Sequence, residues 1–175
     1  LCITDGLYDF EAQVSGPPNA LYEWDFGPNA STTTSTDLII SGIQFDTPGV
    51  HEVQLSGTHE NCVDSISELI YVYAEPTIDF DFIDGSQCAP SLAQFINLSS
   101  VDGPAIYSWE FGDGSGSEYF SPSHVYTDVG SYSVGLTVIS LEGCEDTLYL
   151  MQQDIFTVYP SPIAGFQVNP QNIDV

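Results

Sequence analysis

Tyr22-Glu23-Trp24-Asp25-Phe26-Gly27 returns later in the chain as Tyr107-Ser108-Trp109-Glu110-Phe111-Gly112, 109 − 24 = 85 residues on. Repetition at this period constrains a chain strongly, because each copy is one structural unit and the number of architectures that close at that length is small. Other landmarks keep the spacing. Cys2 and Cys88 are 86 apart, as are Phe80 of Pro76-Thr77-Ile78-Asp79-Phe80 and Phe166 of Pro162-Ile163-Ala164-Gly165-Phe166. Gly49-Val50-His51-Glu52-Val53 answers Gly130-Ser131-Tyr132-Ser133-Val134 at 81 residues, and Cys62 answers Cys144 at 82. The smaller offsets place a few extra residues in the Ser31–Thr36 region of the first repeat. Two repeats of about 86 residues account for nearly the whole of the 175-residue chain.

Within each repeat the texture is all-β. Val50–Leu55 and Tyr132–Val138 nearly alternate between apolar and polar, as half-buried strands do. Leu69-Ile70-Tyr71-Val72-Tyr73 and Asp154-Ile155-Phe156-Thr157-Val158-Tyr159 are rich in β-branched and aromatic residues. Turn formers separate the runs at Gly16-Pro17-Pro18-Asn19, Thr47-Pro48-Gly49, Asp102-Gly103-Pro104 and Asp113-Gly114-Ser115-Gly116. Short strands punctuated in this way predict sandwiches or barrels. The division expected is a first domain over 1–75 lacking its opening strand and a second over 76–161. Residues 162–175 read as the opening strand of a third repeat, or as a donor strand that completes another molecule. Ala74-Glu75-Pro76 and Pro160-Ser161-Pro162 are short, Pro-bearing links of the semi-rigid kind, which predicts an elongated rod.

Charge narrows the partners. The chain has 25 Asp and Glu and no Lys or Arg, where ordinary usage would supply roughly twenty of the latter. With no cation to displace counterions from phosphate, nucleic acid and anionic membrane surfaces are excluded as partners by this reading. No stretch approaches the length of an apolar membrane span, so direct membrane insertion is not expected. Arg–carboxylate pairs cannot form, and stability has to come from apolar burial, backbone hydrogen bonds and covalent staples. Trypsin-like proteases also find no cleavage site, which suits exposure outside a cell.

The four cysteines fall two per repeat and allow three connectivities. Repeat symmetry favours pairing within each domain, Cys2 with Cys62 and Cys88 with Cys144. Each bridge would close about sixty residues, worth on the order of 4 kcal/mol in the chain-entropy model. Such use of cysteine implies an oxidising compartment, extracellular or on the cell surface.

Tyr107-Ser108-Trp109-Glu110-Phe111-Gly112-Asp113-Gly114, then Ser121-Pro122-Ser123-His124-Val125-Tyr126, then Gly130-Ser131-Tyr132-Ser133-Val134 resembles the signature of the polycystic-kidney-disease (PKD) domain family. The resemblance implies an immunoglobulin-like β-sandwich for each repeat, and so a tandem, all-β arrangement. The first repeat departs from the pattern: Gly27-Pro28-Asn29 stands for the Gly-Asp-Gly turn, and the Pro-x-His-x-Tyr stretch is missing. The paired cysteines, with Gly143-Cys144-Glu145-Asp146-Thr147, are similar to PKD arrays in large secreted and gliding-associated surface proteins of Bacteroidetes-type bacteria.

Chemistry-bearing candidates are few. Trp24 and Trp109 occupy equivalent positions and are expected in the cores, while Tyr119 and Phe120 are the aromatics that could reach solvent. No Gly-x-Ser-x-Gly elbow is present, and His51, His59 and His124 form no ligand pattern, so no catalytic residues are assigned and no enzyme is expected. Calcium is the cofactor worth weighing, since the chain is rich in oxygen ligands. By resemblance to PKD domains that bind it between an Asn-x-Ser turn and the Gly-Asp-Gly turn, the candidates are Asn97, Ser99, Asp102 and Asp113. The same residues also read as ordinary turn formers. Asp64-Ser65-Ile66 and Asp146-Thr147-Leu148 share a repeat position and look like Bacteroidetes O-glycan acceptors, at Ser65 and Thr147; Asn29-Ala30-Ser31 and Asn97-Leu98-Ser99 are Asn-glycosylation patterns. The expected function is a stalk or spacer in a bacterial surface adhesin or filament, its partners neighbouring repeats or other copies of itself and any tip ligand unknown. The alternative is a polymer-binding accessory module of a secreted hydrolase.

Overall fold

A computed structural model describes residues 2–4, 6–85, 87–144 and 146–168. Thirteen strands follow in order: β1 Tyr8–Glu11, β2 Leu21–Asp25, β3 Thr34–Ser35, β4 Ile39–Ile43, β5 Gly49–His59, β6 Cys62–Val72, β7 Phe80–Asp84, β8 Ser91–Asn97, β9 Ala105–Glu110, β10 Gly116–Ser117, β11 Ser123–Tyr126, β12 Gly130–Ser140 and β13 Thr147–Val158. The described residues contain no helix, and so none long and apolar enough to cross a membrane. They form four sheets, with strand orders β1-β4 and β3-β2-β5-β6 in the first repeat and β11-β8-β7 and β10-β9-β12-β13 in the second. The fold is an all-β sandwich architecture.

The chain divides into two compact units. One comprises Leu1–Asp79, Leu98–Tyr107 and Thr137–Leu150; the other comprises Phe80–Asn97, Ser108–Leu136 and Met151–Val175. In the first, β1-β4 covers β3-β2-β5-β6. Trp24 of β2, Val53 of β5, Ile43 of β4 and Val72 of β6 meet Phe26, Ala30 and Phe45 in one buried cluster. Phe10 of β1 packs on Trp24 and Phe26, with ring centroids 5.6 and 5.0 Å away. The β5–β6 hairpin turns through Glu60-Asn61, and Glu60 takes the left-handed φ of 52° that such a tight turn demands. In the second unit β8 alternates strictly. Ser91, Ala93, Phe95 and Asn97 face inward, and Leu92, Gln94 and Ile96 outward. Phe95 reaches Trp109 at 5.6 Å and Phe111 at 5.2 Å, and Phe82 reaches Phe156 at 5.7 Å.

These rings compensate for the missing cations. Among the described residues the one side-chain ion pair is His124–Asp113. An exposed ion pair is worth about 0–1 kcal/mol, whereas burying one Phe or Leu is worth about 1.5–3. Acidic repulsion is therefore outweighed by a core of large rings rather than answered by counter-charges. Both tryptophans are buried, and their indoles donate to repeat-equivalent loop carbonyls: Trp24 Nε1 to Asp37 O at 3.1 Å and Trp109 Nε1 to Tyr119 O at 3.0 Å.

The predicted strand at 162–175 lies partly outside the described residues, which end at 168. Residues 162–168 make no sheet pairing, and Ile163 and Phe166 are 98% and 90% exposed.

Candidate functional site

The repeat equivalence extends to single hydrogen bonds. His51 lies on Phe45, with centroids 4.5 Å apart, and its Nε2 is 2.8 Å from Thr47 O. At the matching positions Tyr132 lies on Tyr126 at 4.3 Å, and its hydroxyl donates to Asp128 O at 2.9 Å. Against this shared background, two places differ between the repeats and bear on function.

The first is the Gly112-Asp113-Gly114-Ser115 turn. Gly112 and Gly114 hold φ of 82° and 88°, which only glycine adopts without cost, and the turn curls under the ring of His124. His124 Nε2 is 2.7 Å from Asp113 Oδ2, and both the amide and the hydroxyl of Ser115 donate to Asp113 Oδ1. Partial burial pushes the Asp113 carboxyl up, but the donors from Ser115 and His124 outweigh it and hold the group below its ordinary value. His124 is stacked on Phe111 at 4.4 Å and meets the edge of Tyr126 at 4.6 Å. Tyr126 is fully buried and donates to Phe111 O at 3.0 Å; burial, then Asp113 and Tyr132, push its hydroxyl far above the usual tyrosine range.

Ser, His and Asp thus converge without forming a nucleophilic triad. In a triad, the acid and the nucleophile hold opposite nitrogens of the imidazole. Here Asp113 and Ser115 share Nε2, at 2.7 and 3.3 Å, and the Ser115 hydroxyl hydrogen goes to Asp113. The group is a clasp that pins a turn to β11. In the first repeat Pro28 and Ile43 take the places of Asp113 and His124, and backbone pairing does the same work: Asp46 N donates to Asn29 O and Ser31 N to Gln44 O, both at 2.7 Å. Residues 73–153 match the PKD domain family. The match spans the clasp, the β11 strand and the loop that carries Cys144; the first repeat, without the clasp, lies outside it. PKD domains are structural or binding modules, usually extracellular, and a disulfide within the chain is consistent with that. A solved structure described as the amphioxus IgVJ-C2 molecule is similar at 11% identity and a TM-score of 0.48, over 84% of this chain and 94% of that one.

The second place is the disulfide, where the expected pairing is corrected. Cys2 bonds to Cys144, 142 residues away, with Cα atoms 4.9 Å apart. Neither Cys2–Cys62 nor Cys88–Cys144 forms. Strand length explains the first. Cys2 makes a parallel bridge to Tyr73, just past the far end of β6, and Ile3 N donates to Tyr73 O at 3.0 Å. Cys62 is the first residue of that eleven-residue strand. At about 3.3 Å per residue it stands over 30 Å away, against the 4.4–6.8 Å that a disulfide spans. Cys88 repeats the arrangement, bridging Tyr159 just past the end of β13, whereas Cys144 precedes that strand.

Around the Cys2–Cys144 bond the PKD segment forms a seat for the end of the first repeat. Gly143, with φ of 69°, lies flat on Tyr73, so that a Cβ there would fall 2.1 Å from the ring. Cys144 Sγ is 3.6 Å from Tyr73 O. Asp102 receives the Tyr71 hydroxyl on Oδ1 at 3.1 Å and the Ala74 amide on Oδ2 at 3.3 Å. The hydrogen bond from Tyr71 to Asp102, then burial, raises the Tyr71 hydroxyl above its ordinary value. Glu75 accepts from Thr4 and lies close to both sulfurs; the sulfurs, being bonded to each other, offer no thiolate to a metal.

The calcium candidates also serve the fold. The oxygens of Asp102 and Asp113 are engaged as described. Ser99 Oγ exchanges hydrogen bonds with the Asp79 amide and carbonyl at 3.3 and 3.2 Å, and Asn97 is 6% exposed on β8. That burial also bars Asn97 from carrying a glycan in the folded chain. Ser65 and Thr147 are exposed, each with its amide on the preceding Asp side chain, at 3.0 and 2.7 Å. Tyr119 and Phe120 are 80% and 51% exposed.

Proposed function

We propose that the chain is a non-enzymatic spacer: two immunoglobulin-like repeats of an extracellular bacterial stalk or filament, arranged as a rod. The observation that supports this best is the Cys2–Cys144 bond with its seat. The disulfide and the hydrogen bonds of Asp102 fasten the two ends of the first repeat, at Cys2 and at Tyr71–Ala74, to loops of the second. The clasp at Asp113 and His124 likewise uses its donors and acceptors to fix a turn. A spacer needs such internal fastening and needs no convergent pocket.

The exposed Tyr119–Phe120 pair favours a second reading, an accessory module that binds a polymer substrate for a secreted hydrolase. Co-sedimentation of the full chain with chitin, cellulose and collagen fibrils separates the two. The spacer predicts no more pelleting than an equally acidic control protein. Pelleting that disappears in the Tyr119→Ala, Phe120→Ala double variant would replace it with the accessory module.

A further inference from the structure

β6 is the last strand of its sheet. It pairs with β5 on one side, and among the described residues no strand lies on the other. The opening is a property of the repeat and not of the chain's ends. The first repeat has its successor in place, the second its predecessor, and β13, the counterpart of β6, is terminal in its sheet as well. The two edges differ in regularity. β13 is interrupted at Asp154, which takes a left-handed φ of 50° and sends its amide to the Ser133 hydroxyl at 3.0 Å. A break of that kind spoils a strand as a template for another chain. The register of β6 with β5 runs unbroken from His59↔Cys62 to Gly49↔Val72.

Alternation sorts the backbone groups of β6. His59 and Cys62 close a two-residue turn, so that pair exchanges both of its hydrogen bonds. Even-numbered residues from Cys62 to Val72 therefore bond β5, and odd-numbered ones from Val63 to Tyr71 turn their amides and carbonyls to the open side. The turn bounds this edge at one end. At the other, Cys2 takes it up at Tyr73. Along it Val63, Ile66 and Leu69 are 70%, 65% and 72% exposed.

We propose that β6 pairs through this edge with β6 of a second copy of the chain, antiparallel about a two-fold axis at Ser67. A long, regular edge with apolar side chains is a template for strand addition, and the sequence of β6 selects a copy of itself. Residues with outward backbone groups have to oppose one another, so the axis falls on a residue and not between two. At Ser67, the midpoint of the strand, all eleven residues find partners. Asp64 then stands across from Ile70 and Glu68 across from Ile66, while Val63 meets Tyr71 on the face away from the core. One residue toward the turn, the axis sets Asp64 against Glu68. One residue the other way, it sets Glu68 against itself. Either places like charges in direct opposition, in a chain without Lys or Arg to neutralise them. The Ser65 amide, held in the single copy by Asp64 Oδ1 at 3.0 Å, passes to the Leu69 carbonyl of the second copy. Asp64 and Glu68 remain diagonal neighbours across the seam, so association strengthens with salt, which screens them. The inference goes beyond the spacer reading and is independent of it. In a spacer, β6 is where neighbouring molecules join side by side.

Sedimentation velocity of the full chain over a concentration series, at low and at high salt, reads the association. A monomer–dimer equilibrium is expected, with the dimer fraction at a given concentration rising several-fold at high salt. Ser67→Pro removes the amide at the axis, on the side of an edge strand where Pro is tolerated, and should leave monomer at every concentration. Leu69→Glu keeps the backbone intact and should weaken the dimer several-fold; it carries the test where the Pro variant melts early. The register is read by mild oxidation in a Cys62→Ser background. Ser67→Cys should give a covalent dimer, because directly opposed Cα atoms stand about 5.5 Å apart, within the span of a disulfide. Ser65→Cys should not, since its two copies lie about 13 Å apart along the seam. Mass spectrometry of fragments from a Glu-specific protease identifies the linked residues. Monomer at every concentration and salt, a dimer indifferent to both Ser67→Pro and Leu69→Glu, or cross-linking through Ser65→Cys in preference to Ser67→Cys would overturn the proposal. Polymer co-sedimentation reads none of these outcomes, so failure of the edge and failure of the spacer reading are told apart.

Discussion

Asp113 shows how much one carboxylate does in a chain without Lys or Arg. Its two oxygens take three donors and hold the glycine turn against His124. Because the folded state keeps this carboxyl below its ordinary value of 3.8, the stability it contributes is complete above the unfolded value. It is lost as pH falls through the lower, folded one. Denaturant titrations below pH 4 should therefore show an acid limb that is shallower in Asp113→Asn. An unchanged limb in the variant would mean that the clasp is not coupled to folding. The motif is readable residue by residue, since Gly-Asp-Gly and Pro-x-His-x-Tyr announce a turn and its anchor. The bonding is not. Resemblance to calcium-binding PKD domains makes Asp113 a calcium candidate, and it takes the folded arrangement to show Ser115 and His124 on its two oxygens.

At the scale of elements, the strands are legible because β-branched and aromatic runs alternate between turn formers, as at Val50–Leu55 and Tyr132–Val138. The cysteine pairing is not. Pairing within a repeat and pairing to the next repeat obey the same offsets, so symmetry is silent between them. The deciding quantity is the length of β6, eleven residues that part Cys62 from Cys2. One signal is present in the loop before β13, a glycine beside the cysteine where the first repeat has Asn61. Gly143 is needed twice, for its φ of 69° and for the Tyr73 ring 2.1 Å from where a Cβ would stand. Gly143→Ala should lower unfolding free energy by well over the roughly 1–3 kcal/mol of a left-handed non-glycine residue. Gly114→Ala, also left-handed but with nothing within 4 Å, supplies that baseline. Equal losses in the two variants, read from urea melts, would remove the packing against Tyr73 from the account.

For the whole molecule, the Cys2–Cys144 bond has a mechanical meaning. Tension applied between the two chain ends passes through the sulfur–sulfur bond and bypasses everything between residues 2 and 144. The bypassed 142 residues would otherwise release roughly 480 Å of slack at about 3.4 Å each. In single-molecule stretching the oxidised chain should yield only the short segment after Cys144, and reductant should release the remainder as added contour length. Identical extensions with and without reductant would show that the load does not run through this bond. The repeats can lose their fold under load, yet in the oxidised chain the path from residue 2 to residue 144 stays one disulfide long, with Cα atoms 4.9 Å apart.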